Sequence, residues 1–238
     1  MKKVLLMICA QLFSTLLIAS ESSVYEFSWL DKDKEIYVLQ NRRFRKSGKV
    51  YLGATGVKTL SGAFIDSYGG TARAGFFFSE DWGIELVYGK ASGKENTTAK
   101  GVQSQQADAF YRKVDGYVGG MLMWSPFYSK INTFNQVFYY DWMFGLGVAS
   151  VNTQDNRKDF DTPGYQANAE QELTSENNMG LLWNTGLRFY LNDNWSIRLD
   201  FTGIHAKPAK PAKIVGNDIK TNVLFNNYDL GLGLNYAF

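Results

Sequence analysis

The chain has 238 residues, with 25 Lys and Arg against 23 Asp and Glu, one His and one Cys. The single Cys excludes a disulfide scaffold, a classical zinc site lacks ligands, and 16% aromatic residues argue against disorder. Near-neutral charge gives no basis for nucleic-acid binding, and no second run of about 18 apolar residues follows the N-terminus, which excludes a bundle of membrane helices. What needs explaining is a chain rich in Gly and aromatics whose mean hydropathy is only −0.25.

Met1-Lys2-Lys3 is a short basic start, Val4 to Ile18 is apolar, and Ala19-Ser20-Glu21 supplies small residues and then the first acid. This is the pattern of a secretory signal peptide, assigned to residues 1–20. A retained membrane helix is the other reading, but the run is short and has no stop-transfer flank. Leu6-Met7-Ile8 before Cys9 makes a poor lipoprotein site, and cleavage removes the only Cys, which suits export. Residues 21–46 form a periplasmic N-terminal segment, with Trp29, Ile36, Tyr37, Val38 and Leu39 among charges and a basic run at Arg42-Arg43-Phe44-Arg45-Lys46. After a signal peptide, that run reads as a contact with anionic lipid head groups at the periplasmic rim. A plug entering the lumen and an added strand are the alternatives.

From residue 47 to 238 the period is two, the mark of strands with two different faces. The predicted strands are 49–59, 67–78, 82–90, 113–124, 136–150, 180–191, 195–204 and 224–238. In the last, Tyr228, Leu230, Leu232, Leu234, Tyr236 and Phe238 alternate with Asp229, Gly231, Gly233, Asn235 and Ala237. Several strands match the roughly 9–11 residues of a tilted transmembrane strand. With the apolar parity outward, Arg73, Glu85, Asp115, Asp141, Arg188, Arg198, Asp200 and Asp229 all point to the other face. Lys58 is the exception, at a strand end where a long side chain snorkels.

A soluble barrel or sandwich would bury the apolar face instead, leaving a Gly-studded exterior. Aromatics at strand ends (Trp82, Trp124, Trp195, Tyr236, Phe238) favour membrane-interface girdles. Connections also alternate. The turns Ser79-Glu80-Asp81, Ser125 to Lys130 and Asn192-Asp193-Asn194 are short, whereas 91–112, 151–179 and 205–223 are long and polar. The fold class is therefore all-β: an eight-stranded antiparallel up-and-down transmembrane β-barrel in the outer membrane.

Gly233, Tyr236 and the terminal Phe238 resemble the C-terminal assembly signal of outer-membrane barrels, with Gly231 departing from its usual polar residue. The resemblance implies the barrel-assembly machinery and periplasmic chaperones as partners during biogenesis. Tyr37 to Arg42 and Ser125 to Lys130 resemble the bacterial outer membrane β-barrel domain family of the myxobacterial and predatory-bacterium type. The shape is similar to small barrels of the OmpA, OmpX and OmpW kinds. No activity follows from the resemblance.

An eight-stranded barrel has an interior just wide enough for side chains. The inward charges, with Tyr117, Tyr139 and Tyr190 among them, then pair as a polar network that fills the lumen. This gives a monomeric structural or surface-interaction protein; a narrow path for ions or small polar solutes is the alternative. An outer-membrane lipid-modifying enzyme is a remote third reading, since His205 is the only candidate base and only Ser92, Asp155 or Asp218 stand as partners. Lys207, Lys210 and Lys213 recur every three residues, so a polyproline II loop would carry them on one side, facing lipopolysaccharide phosphates, or would be simply a stiff solvated loop. Loop 151–179 is acidic without the spacing of a cation loop, and a short helix is expected at Ala167 to Glu176. No cofactor, metal or nucleic acid is expected.

Overall fold

A computed structural model describes residues 42–105, 109–134, 136–156, 173–208 and 224–238. The signal peptide, residues 21–41, the acidic loop residues 157–172, Lys210, Lys213 and Asp218 lie outside the described residues. Eight strands run in chain order: β1 (Val50–Thr59), β2 (Ile65–Phe77), β3 (Trp82–Glu95), β4 (Arg112–Thr133), β5 (Gln136–Asp155), β6 (Thr174–Tyr190), β7 (Trp195–Ala206) and β8 (Phe225–Ala237). Each pairs antiparallel with the next, and β8 returns to β1 from Tyr51↔Ala237 to Thr59↔Asp229, closing the ring. Closure leaves no open edge along the wall, so the backbone groups facing an apolar surrounding are hydrogen-bonded within it.

Exposure follows the two-residue period and is inverted relative to a soluble domain. Leu86 is 68% exposed, whereas Arg198 is 0% and Glu85 1% exposed. Leu52, Ile84, Leu122, Leu146, Val148, Leu199, Leu232 and Leu234 continue the outer apolar band. Such a continuous apolar exterior excludes the soluble barrel and requires lipid around the wall. Around one end run ring contacts: Trp82–Trp124 at 5.9 Å, Trp142–Phe144 at 5.3 Å and Trp195–Tyr236 at 5.0 Å. This is the aromatic girdle expected from the strand ends. Lys58 does stay outside, its Nζ 5.4 Å from the centre of the Tyr68 ring.

Two expectations need correction. Ser125 to Lys130 is not a turn. β4 continues through it to Thr133, with a register shift between Trp124 and Phe127 that accommodates Pro126 at a bulge. β3 leaves β4 at Trp124 and β6 leaves β5 at Tyr139, so the pairs Ile131↔Phe138 and Thr133↔Gln136 form a two-stranded ribbon beyond the ring. Its tip carries Phe134 at φ 42° and 103% exposed. Secondly, Thr174 to Glu176 begins β6 rather than ending a helix, because Thr153↔Glu176 and Asp155↔Thr174 extend the β5–β6 ladder. Among the described residues a helix forms at α1 (Thr97–Gln103), where the Asn96 side chain accepts from the Ala99 N–H at 3.0 Å as N-cap. The compact unit that contains the barrel begins at Arg42.

Candidate functional site

The lumen is the candidate site, built mainly from inward parity positions on all eight strands. Glu85 on β3 is its centre. Arg73 on β2 donates Nη1 to Glu85 Oε1 at 2.6 Å, and Arg198 on β7 donates Nη1 to Oε2 at 2.5 Å. The Tyr51 hydroxyl also donates to Glu85. Arg198 Nε bonds Asp200 Oδ1 at 2.7 Å, and Arg73 Nε lies 3.8 Å from Asp200 Oδ2. Two guanidiniums thus face two carboxylates, and the quartet is neutral. Asn184 and Thr202 take two further donors: Arg198 Nη2 bonds Asn184 Oδ1 at 3.1 Å, and Arg73 Nη2 bonds Thr202 Oγ1 at 3.3 Å. In a water-poor interior these charges hold one another in place, because removing any one strands its partner.

Two glycines make room for this lattice. Tyr51 lies opposite Gly75, and a Cβ there would sit 2.3 Å from the Tyr51 ring. Tyr117 lies opposite Gly89, where a Cβ would be 2.4 Å from the ring. The small residues between the apolar ones are therefore seats for inward aromatic rings.

A second layer lies at the end where β1 begins and β8 ends. Lys46 Nζ meets Asp141 Oδ2 at 2.9 Å and donates to Ser125 Oγ at 2.7 Å. Tyr190 donates to the same Asp141 oxygen at 2.5 Å. Phe44 stacks on Tyr190 at 4.7 Å and meets Tyr139 edge-on at 5.4 Å. Glu80 accepts from the Lys46 and Ser47 N–H groups, each at 3.2 Å, and Asp81 accepts both Arg42 terminal nitrogens at 3.0 Å. Residues 42–47 thus form a strap across the mouth, with Phe44 and Lys46 buried and Arg43 and Arg45 exposed. Burial lowers the Lys46 pKa, and the attraction of Asp141 only partly restores it. Arg188 lies over the Tyr51 ring at 4.5 Å and the Phe77 ring at 5.3 Å.

Of the predicted lumen residues, Arg73, Glu85, Asp141, Arg188, Arg198, Asp200 and Asp229 are buried. Asp229 accepts from Thr59 Oγ1 at 2.6 Å and Asn227 Nδ2 at 2.9 Å, apart from the central quartet. Asp115 is a correction. The β4–β5 register shifts between Val114 and Gly116, the extra residue reverses the parity, and Asp115 is only half-buried, sharing a surface hollow with Tyr88 and Lys90. The lumen also holds an apolar half that alternation hid, with Met121, Met123, Met143, Val151, Leu182 and Ile204 all buried. These methionines stand among residues read as the small and polar face.

His205 is on the outer face. Its Nε2 accepts from Trp183 Nε1 at 2.8 Å, and its Nδ1 is 2.7 Å from Asn226 Oδ1. Ser92 stands on β3, paired with Tyr68, and Asp155 bonds Arg112 at 2.6 Å, so neither joins His205. Lys207 is exposed beyond β7. Gly233 packs against β1, where a Cβ would lie 2.4 Å from the Ala54 carbonyl oxygen. Tyr236 and Phe238 meet at 4.9 Å on the girdle, and the Phe238 N–H donates to Val50 O at 2.9 Å. Among the described residues, no group of three or more His, Cys, Asp or Glu side chains is placed to hold a metal ion.

With the closed ring and its inverted polarity established, the comparison with known proteins is decisive for the family. Residues 40–238 match the outer membrane protein beta-barrel domain. The chain belongs to that family. It is an outer-membrane protein, and the strap lies at the end of the short connections 78–81 and 191–194, which is the periplasmic side in barrels of this kind. Among solved structures, it is similar to the N-terminal β-barrel domain of Pseudomonas aeruginosa OprF, with 14% identity, 81% of this chain and 98% of that one covered, and a TM-score of 0.47. P. aeruginosa OprG gives 14% identity, 82% and 98% coverage and a TM-score of 0.43. The Yersinia pestis attachment invasion locus protein Ail gives 12%, 81% and 99%, and 0.37. No curated protein matches in sequence.

Proposed function

We propose that this protein is a closed, monomeric outer-membrane barrel whose work is done by its outer surface and external loops, not by transport through its lumen or by catalysis. The observation that carries this reading is the central quartet. Arg73, Glu85, Arg198 and Asp200 span the lumen at 0–1% side-chain exposure, and Phe44 and Lys46 cover the mouth below it. An ion crossing would have to displace paired charges that have no water to replace them. Lys207, with Lys210 and Lys213 after it, supports an external contact with lipopolysaccharide phosphates. Gly233, Tyr236 and Phe238 support recognition by the barrel-assembly machinery and its chaperones. The occupation of both His205 nitrogens supports a non-enzymatic reading. Affinity with the myxobacterial type rests on the two sequence stretches alone.

Planar-bilayer recording of the refolded chain tests the reading. The expected record is flat. Steady single-channel steps that persist in the intact protein and disappear when the lumen is blocked would establish the narrow-channel alternative instead.

A further inference from the structure

Among the described residues, the mouth layer contains a buried cation, Arg188, that forms no ion pair within 4 Å. Arg188 is 4% exposed, yet its Nε and Nη2 have no hydrogen-bond partner. Asp141 is opposite Arg188 in the β5–β6 ladder, but its Oδ2 is taken by Lys46 and Tyr190. Asn235 on β8 is 2% exposed, and both its side-chain polar atoms are also unpartnered. Buried polar groups are almost always hydrogen-bonded, and leaving a charged one unmatched is costlier still, so a buried orphan asks for an occupant.

Arg188 and Asn235 line one small cavity of about 20 Å³. Tyr51 and Phe77 form its apolar wall, Ser196 adds a hydroxyl, and Arg45, Lys49 and Asp193 stand toward its opening. The charged lining residues are Arg45, Lys46, Lys49 and Arg188 against Asp193 alone. Asp141, which pairs with Lys46, reduces the excess but leaves it positive. Asp141 Oδ1 is likewise unpartnered, but Asp141 does not line the cavity.

The geometry points to a buried site for one small monovalent anion, a halide, held by the Arg188 guanidinium and the Asn235 amide at the periplasmic mouth. The cavity volume admits about one water-sized body, so a phosphate or a lipid head group is too large. A guanidinium over aromatic faces is weakly hydrated, which matches a weakly hydrated monatomic anion better than a carboxylate. With the anion in place, the Asn235 amide donates to it and the layer approaches neutrality, as the central quartet already does.

The test uses the full chain refolded in detergent, its unfolding midpoint followed by gel mobility. Sodium chloride, bromide, gluconate and phosphate are compared at equal ionic strength. The midpoint is expected to climb with each tenfold rise in chloride or bromide and to stay level in gluconate and phosphate. Arg188→Met and Asn235→Ala should flatten the halide response by tenfold or more in half-saturating concentration, without abolishing the folded band. Crystals grown in bromide should show one anomalous peak between Arg188 and Asn235. A halide-independent midpoint, a response kept intact in both variants, a response to phosphate but not halide, or a bromide-free cavity would each overturn the assignment. The bromide crystal needs no variant, so a misfolded substitution cannot shield the proposal.

Discussion

The two charged layers of the lumen are built in different ways. The central quartet draws all four charges from strands of the ring, where the ladder fixes Arg73 on β2, Glu85 on β3 and Arg198 and Asp200 on β7. The mouth layer takes Asp141 and Arg188 from the ring but Lys46 from a non-strand segment, and Arg188 Nε and Nη2 are left without a hydrogen-bond partner. One layer is complete once the wall closes; the other is completed by a strap and, as proposed, by an ion.

The difference can be broken most sharply at the centre. Glu85→Ala strands two buried guanidiniums and one Tyr hydroxyl, and is expected to cost about 3–5 kcal/mol, read as a lower urea midpoint of the refolded barrel. At the mouth, Phe44→Ala removes ring packing but no charge, and should cost about 1.5–3 kcal/mol while exposing residues 42–47 to protease. The centre can also be reached sterically. Gly75→Ala drives a methyl into the Tyr51 ring and lifts its hydroxyl from Glu85, at about 1–3 kcal/mol. The effect should vanish when Tyr51 is replaced by Ala, a cycle measured by the same unfolding assay. Outside both layers, Trp82→Ala trims one girdle pair and should lower the midpoint by only about 0.5–1.5 kcal/mol.

The wall was legible because burial against lipid on one side and side chains on the other leaves a period of two, and that period assigns parity residue by residue. Parity fails where the backbone departs from the period. Asp115 follows Val114 at a bulge, so counting by twos carries it to the wrong face. Pro126 reads as a strand breaker, yet a bulge needs no ladder donor there, and β4 passes through. The methionine half of the lumen was hidden by a different cause. Met121, Met123 and Met143 share their parity with charged residues, and alternation shows which face a residue takes, not what it meets across the ring. Phe44 and Lys46 were illegible in detail, because a basic run with one aromatic has no period, and only the geometry of Asp141, Tyr139 and Tyr190 gives it a destination.

The strap has a consequence for the order of assembly. Its contacts reach far along the chain, with Phe44 to Tyr128 separated by 84 positions and Lys46 to Ser125 by 79. Glu80 and Asp81 on the β2–β3 turn are within early reach of the strap, whereas Tyr139, Asp141 and Tyr190 belong to β5 and β6, so the seats of Phe44 and Lys46 are complete only when six strands stand in the wall. Contacts of such long sequence separation form late in folding. Phe44 and Lys46, near the start of the barrel unit, are in this way among its later residues to settle.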